Sequence, residues 1–154
     1  MLMIGLVAAS VLAWDQLTKW SAVQYLAQIE SVVVIPRVFH LTFVENTGIA
    51  FGLFQGRPAA LTVIITVSVL VLLIGACRFR HRPVSRRLAY GFILGGAAGN
   101  WIDRLRHEHV IDFLDFRVWP VFNFADAFIT TGVLLFLWFT LTAGKGKKVL
   151  RDRV

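Results

Sequence analysis

Polar residues are scarce along this chain, and their spacing divides it into long apolar runs separated by short charged segments. The clearest run, "AALTVIITVSVLVLLIGAC" at residues 59–77, carries no charge. About 20 apolar residues suffice to cross a hydrocarbon core of ~30 Å. Pro58 stands just before the run, where a helix start tolerates proline, so a helix over approximately 58–77 is predicted. A second run over approximately 121–143, "VFNFADAFITTGVLLFLWFTLTA", is broken only by Asp126. The shorter "LAYGFILGGAAGNWI" extends to approximately 86–104, because flanking arginines can snorkel. Its Gly91, Gly95 and Gly99 recur every four residues on one face, which predicts close helix packing.

The N-terminal stretch "MLMIGLVAASVLAWDQLTKW" predicts a further helix over approximately 2–22. Val11-Leu12-Ala13 resembles a small-residue cleavage site, but no basic segment precedes it and Asp15 and Lys19 follow at once. The segment therefore reads as a span. Asp15 and Lys19 lie one helical turn apart, acid before base, and should form an ion pair. Between the first two helices the pattern changes. Phe39, Leu41 and Phe43 alternate with His40 and Thr42, the period of a half-buried strand, and Asn46-Thr47-Gly48 signals a turn. A small β-sheet over approximately 30–55, lying on the outer membrane surface, is expected.

Composition sharpens this picture. With 57% hydrophobic and only 16% charged residues, the chain falls in the membrane class. The net charge of +7 would suggest nucleic acid if the basic residues formed one patch. Instead they fall mostly in "RFRHRPVSRR" (78–87) and "KGKKVLRDR" (145–153), each directly after an apolar run. That arrangement is topological, places both segments on the cytoplasmic side and leaves no nucleic-acid surface. Trp20, Trp101 and Trp119 then fall at outer helix ends, as an aromatic belt should. The expected fold is an α-helical membrane protein, one domain over 1–154, with four transmembrane helices, cytoplasmic N- and C-termini and a small outer β-sheet. Cys77 is the only cysteine, which excludes an intramolecular disulfide or a multi-cysteine metal site.

Against this background "HVIDFLDFRVWPVFNFADAF" (109–128) stands out, because it places Asp112, Asp115 and Asp126 among apolar side chains. A carboxylate there is costly unless it is paired, hydrogen-bonded or protonated. At 1.5 Å per residue Asp126 should lie about 5–8 Å inside the last helix, close enough to the outer interface to meet Asp112. Two carboxylates held close share a proton, so one can activate a water while the other polarises a carbonyl. Spacing alone leaves Asp112 and Asp115 as equal candidates for the outer member. His107 and His109 lack the spacing of a helical metal-binding pair, so no metal site is expected. Asn100 and Asn123 could cap helix ends, and Asp103-Arg104 reads as an interfacial ion pair. The same residues admit two non-proteolytic functions: a small transporter with Asp126 as proton carrier, and a membrane chaperone without catalysis.

In order along the chain, "DQLTK" (15–19), "ENTGIAFG" (45–52), "GNWIDR" (99–104), "VIDF" (110–113) and "FNFADAFI" (122–129) closely resemble bacterial lipoprotein signal peptidase, or signal peptidase II. The resemblance covers essentially the whole chain. It implies an inner-membrane aspartic endopeptidase that acts at the outer, periplasmic face. Such an enzyme cuts diacylglyceryl-modified prolipoproteins on the N-terminal side of the lipidated cysteine, without a cofactor. Carried over residue by residue, it makes Asp112 and Asp126 the catalytic pair. Asn46, Gly48, Asn100, Arg104 and Asn123 fall on substrate-binding or supporting positions, and Asp15, Lys19 and Asp103 on structural polar ones. Membrane lipids and globomycin-type inhibitors are the further partners it implies. The stretch between the catalytic aspartates is short against many members.

Overall fold

The computed structural model describes residues 1–48 and 57–151. Helix α1 (Leu2–Leu26) leads into a hairpin of β1 (Ser31–Ile35) and β2 (Phe39–Asn46). Helices α2 (Pro58–Phe79) and α3 (Val84–His107) follow, then β3 (Val110–Asp115) and α4 (Phe124–Arg151). Residues 49–55 of the expected sheet segment, and with them the second half of "ENTGIAFG", lie outside the described residues, as do 152–154.

Among the described residues three helical segments are long and apolar enough to cross a membrane: Leu2–Leu26, Ala59–Phe79 and Phe124–Thr142. Helix α3 is equally long but carries Arg86, Arg87, Asp103, Arg104 and Arg106 in its end turns. It is the hub of the bundle, packing against α1, α2 and α4. The glycine stripe explains how. Gly91, Gly95 and Gly99 face α1, and a Cβ on Gly95 would sit 2.6 Å from the Ala8 carbonyl oxygen. On the other side, a Cβ on Gly96 would sit 2.5 Å from the carbonyl oxygen of Ala125 in α4. Backbones this close need a residue without a side chain.

The helix ends differ from the sequence expectation. Helix α1 runs on to Leu26 because Ala22 and Leu26 are buried under the sheet, beside Ile111, Phe113 and Leu114. The last helix begins at Phe124 instead of about 121. Phe122 is extended, bridging to Leu114, and its N–H donates to the Leu114 carbonyl at 3.1 Å. At the other end α4 continues into the lysine-rich segment, as far as Arg151.

The sheet is antiparallel in the order β1-β2-β3. Strand β2 lies where the alternation of Phe39, Leu41 and Phe43 put a strand, whereas β1, exposed along its whole length, shows no such alternation. The third was not foreseen: every residue of β3 is buried, so the strand shows no alternation of apolar and polar positions. A bulge between Leu41 and Val44 shifts the β2–β3 register and sets Val44 opposite Asp112 and Asn46 opposite Val110. Asn46 and Asp112 thereby become diagonal neighbours on one face.

Candidate active site

The site begins with the start of α4. Asn123 is its N-cap, and its Oδ1 accepts the backbone N–H of Asp126 at 3.0 Å. The Asp126 carboxylate reaches back through Oδ2 to the Asn123 N–H at 3.3 Å. This is a reciprocal capping box, with Asn and Asp in the roles usually taken by Ser or Thr and Glu. It fixes Asp126 in the first turn of the helix. The other oxygen, Oδ1, accepts Nδ2 of Asn100 from α3 at 2.8 Å.

Asp112 comes from the sheet. Its Oδ1 accepts Asn123 Nδ2 at 2.6 Å, and its Oδ2 accepts Asn46 Nδ2 at 2.8 Å. Asn123 Nδ2 also lies 3.2 Å from Asn100 Oδ1, so Asp112, Asn123, Asn100 and Asp126 form one hydrogen-bonded chain. Asp112 is buried, and its carboxyl is pushed up to about 7. Burial is the main cause and the charge of Asp126 adds to it, against the two amide hydrogen bonds and the more distant Lys19. A proton therefore resides on this group for much of the time near neutral pH.

Asp115 is differently held. Its burial would push it up, but the backbone N–H of Arg117, the Thr42 hydroxyl and the Arg117 guanidinium outweigh that and keep it below the ordinary carboxylate value. It is an ionised clasp at the end of the strand, with Arg117 Nη1 at 3.1 Å and Thr42 Oγ1 at 2.9 Å.

Arg104 of α3 donates through Nη2 to the Gly48 carbonyl, while the Gly48 N–H donates to Asn46 Oδ1 at 3.0 Å. The guanidinium is buried, and among the described residues its Nε and Nη1 have no hydrogen-bond partner. The expected Asp103–Arg104 pair does not form. Adjacent residues on a helix point about 100° apart, so Asp103 turns toward α1 and Arg104 toward the turn after β2. Asp103 Oδ2 lies 2.7 Å from Lys19 Nζ, and Oδ1 accepts Gln16 Nε2 at 2.8 Å. The expected pair within α1 does form, with Lys19 Nζ 2.8 Å from Asp15 Oδ2. The second oxygen of Asp15 accepts the N–H of Ala125 at 2.9 Å, in the first turn of α4.

The structure thus brings Asp112, Asp126, Asn46, Asn100 and Asn123 into direct contact, with Gly48 and Arg104 along one edge and Asp15, Lys19 and Asp103 beneath. His107 and His109 stand apart: their rings are 5.8 Å between centroids, and His109 Nε2 faces Glu45 at 3.7 Å. Among the described residues no three His, Cys, Asp or Glu side chains gather as a metal site. Gln16 and the Ala125 N–H were missed from sequence. Gln16 sat inside a quoted motif but has no chemistry of its own, and a backbone donor leaves no trace in sequence. On the α1 side, an apolar groove of about 430 Å³ is bounded by Tyr25, Leu26, Phe39, Leu41, Phe113 and Phe124.

Comparison with known proteins bears directly on this arrangement. The sequence model of the signal peptidase (SPase) II family matches residues 7–142. The lipoprotein signal peptidase of Moorella thermoacetica is 46% identical over 136 residues, covering 86% of this chain and 89% of that protein. That of Shouchella clausii is 41% identical over 149 residues, covering 95% and 97%. A bacterial membrane enzyme solved by the in meso method at 2.3 Å resolution superposes with a TM-score of 0.79 at 28% identity, over 94% of this chain and 90% of that one. A second, at 1.9 Å, gives 0.75 at 29% identity, over 90% and 92%. With the family's sequence model reaching from within α1 into α4 and taking in the whole polar cluster between them, the chain belongs to the signal peptidase II family.

Proposed function

We propose that the protein is a membrane aspartic endopeptidase that removes the signal peptide from diacylglyceryl-modified prolipoproteins, cutting on the N-terminal side of the lipidated cysteine. The observation that carries the catalytic reading is the bridge between two carboxylates on different elements, the buried Asp112 in β3 and the half-buried Asp126 in α4, through Asn123 and Asn100. In this reading Asp112 begins with the proton and polarises the scissile carbonyl, while Asp126 takes a proton from the attacking water. As the tetrahedral adduct collapses, Asp126 returns that proton to the amide nitrogen and the C–N bond breaks. The chemistry asks for two carboxylates and a water, with no cofactor. The amides of Asn100 and Asn123 bridge the pair and that of Asn46 holds Asp112, Arg104 and Gly48 border the bound substrate, and Asp15, Lys19 and Asp103 support the site from below.

All four helices span in this reading, α3 being shielded by its three neighbours, and the chain is one domain over 1–154. The basic turn between α2 and α3 and the basic C-terminal segment face the cytoplasm, with both termini. The carboxylates then lie at the outer face of the cytoplasmic (inner) membrane. A lipid-anchored substrate presents its cleavage site there, since its acyl chains never leave the bilayer. Globomycin-type inhibitors would occupy the place of the substrate. The test is cleavage of a lipidated prolipoprotein by the detergent-solubilised protein, read by gel shift. Asp112→Asn and Asp126→Asn should each abolish cleavage, and together do little further harm, because partners acting as one unit are non-additive. Normal cleavage by either single variant would overturn the reading.

A further inference from the structure

Lys19 is more than one half of an ion pair. Its buried ammonium has three oxygens within 2.8 Å: Asp15 Oδ2, Asp103 Oδ2 and the side-chain carbonyl Oδ1 of Asn100. Two of these contacts tie α1 to itself and to α3, which a structural role explains. The third also joins α1 to α3, but it ends on a neutral amide whose other end, Nδ2, donates to Asp126. An amide can rotate by half a turn with almost no change of shape, so its orientation is set by its partners. With Oδ1 facing an ammonium, the flipped state would set N–H against N–H at Lys19. It would also set oxygen against oxygen at an ionised Asp126.

From this geometry, and resting on the assignment of Asp126 as a catalytic carboxylate, we infer that Lys19 is a positioning residue for the reaction, acting through Asn100. When Asp126 is ionised, it selects the amide orientation itself. Once Asp126 has taken up a proton that selection disappears, and only the partners of Oδ1 still hold the amide: Lys19 at 2.8 Å and Asn123 Nδ2 at 3.2 Å. Asn123 Nδ2 is already committed at 2.6 Å to Asp112, which leaves the ammonium as the stronger anchor. Lys19 thereby keeps the Asn100 N–H directed at Asp126 throughout the catalytic cycle, from a position that touches neither carboxylate of the pair.

A double-variant cycle on the full-length protein in detergent tests this. Lys19→Met should lower kcat about 10- to 100-fold with KM little changed, the scale expected when a reacting group is slightly misplaced. In an Asn100→Ala background the same substitution should cost less than about twofold, because the amide through which Lys19 acts is gone. Equal losses in the two backgrounds, an effect confined to KM, or unchanged kcat would each overturn the inference. Lys19→Met leaves two buried carboxylates without their cation and can fail to fold. The cycle is therefore repeated with Asp103→Asn throughout, which keeps the net charge of the cluster at its native value. If neither Lys19→Met protein folds, Lys19 is only a strut and the inference falls. Asp126→Asn is run alongside: if it cleaves, the dyad assignment has failed, whereas an inactive Asp126→Asn with an additive cycle removes only the role of Lys19.

Discussion

Asp112→Asn should abolish cleavage and, above neutral pH, make the protein more stable. The folded state holds the Asp112 carboxyl at about 7 against an ordinary value of 3.8. A carboxyl whose folded pKa is raised contributes full stability only below the unfolded value. That stability is lost as pH climbs from there through the folded pKa. At about 1.4 kcal/mol per pH unit, the penalty reaches on the order of 4 kcal/mol once the group is ionised. Most of this accrues above about pH 5, so the gain from asparagine should grow by about 3 kcal/mol between about pH 5 and pH 8.5. Against this, the amide of the new side chain must turn its N–H2 toward either Asn46 or Asn123, both donors here. That mismatch costs about 1–3 kcal/mol at every pH and shifts the whole curve without changing its slope. On the scale of a chain this size, the difference in Tm between variant and wild type should widen by about 6–12 °C over that range. Thermal unfolding in detergent, followed by tryptophan fluorescence in a series of buffers, measures it. A Tm difference that stays flat from acid to alkaline pH would refute the reasoning, because Asp112 would then not exchange a proton there.

The other predictions concern the frame around the pair. Asn123→Ala removes a helix cap worth about 1 kcal/mol and a hydrogen bond to a buried carboxyl worth about 1.5–3 kcal/mol. It should lower Tm and cleavage together. Asp115→Asn should keep most cleavage, since its partners are Arg117 and Thr42 and not the pair; loss of cleavage with unchanged folding would place it in the site. Gly96→Ala should cost about 1–3 kcal/mol by forcing the first turn of α4 away, whereas Gly5→Ala, with nothing within 4 Å of the new Cβ, should be neutral or mildly stabilising. A cysteine at Ser85 should resist impermeant thiol reagents applied outside intact cells; its labelling would invert the proposed topology.

Helix positions were legible because the apolar runs exceed any strand length and their breaks are charged. Their ends were not, for physical reasons. Leu26 belongs to α1 because of a sheet that folds onto it, and residues 121–123 leave α4 because Phe122 pairs with Leu114. The cap that fixes the start of α4 was readable in principle, since "NFAD" carries Asn and Asp three apart just before an apolar run. Strand β3 was hidden by its burial on both faces, which erases alternation. Of the candidate site, residue types and order were visible early, and the resemblance separated Asp112 from Asp115 where spacing could not. The structure adds a physical contrast, with one carboxyl buried between amides and the other clasped by an arginine. The pairing of Asp103 went astray because sequence adjacency says little about side-chain direction on a helix.

The bond from the Ala125 N–H to the Asp15 carboxylate joins residues 110 positions apart. During synthesis the first helix must wait, its acidic side chain lacking that donor, until nearly the whole polypeptide has emerged. The cap between Asn123 and Asp126 sets the opening turn of the last helix locally, but the Ala125 N–H in that turn stays without its carboxylate until the first helix is beside it. A nascent chain interrupted after α3 therefore carries an incomplete polar seam into the bilayer, a mark by which quality-control proteases could tell unfinished copies from finished ones. Supplying α4 as a separate polypeptide should erase that mark, and the two fragments should survive together where each alone is degraded.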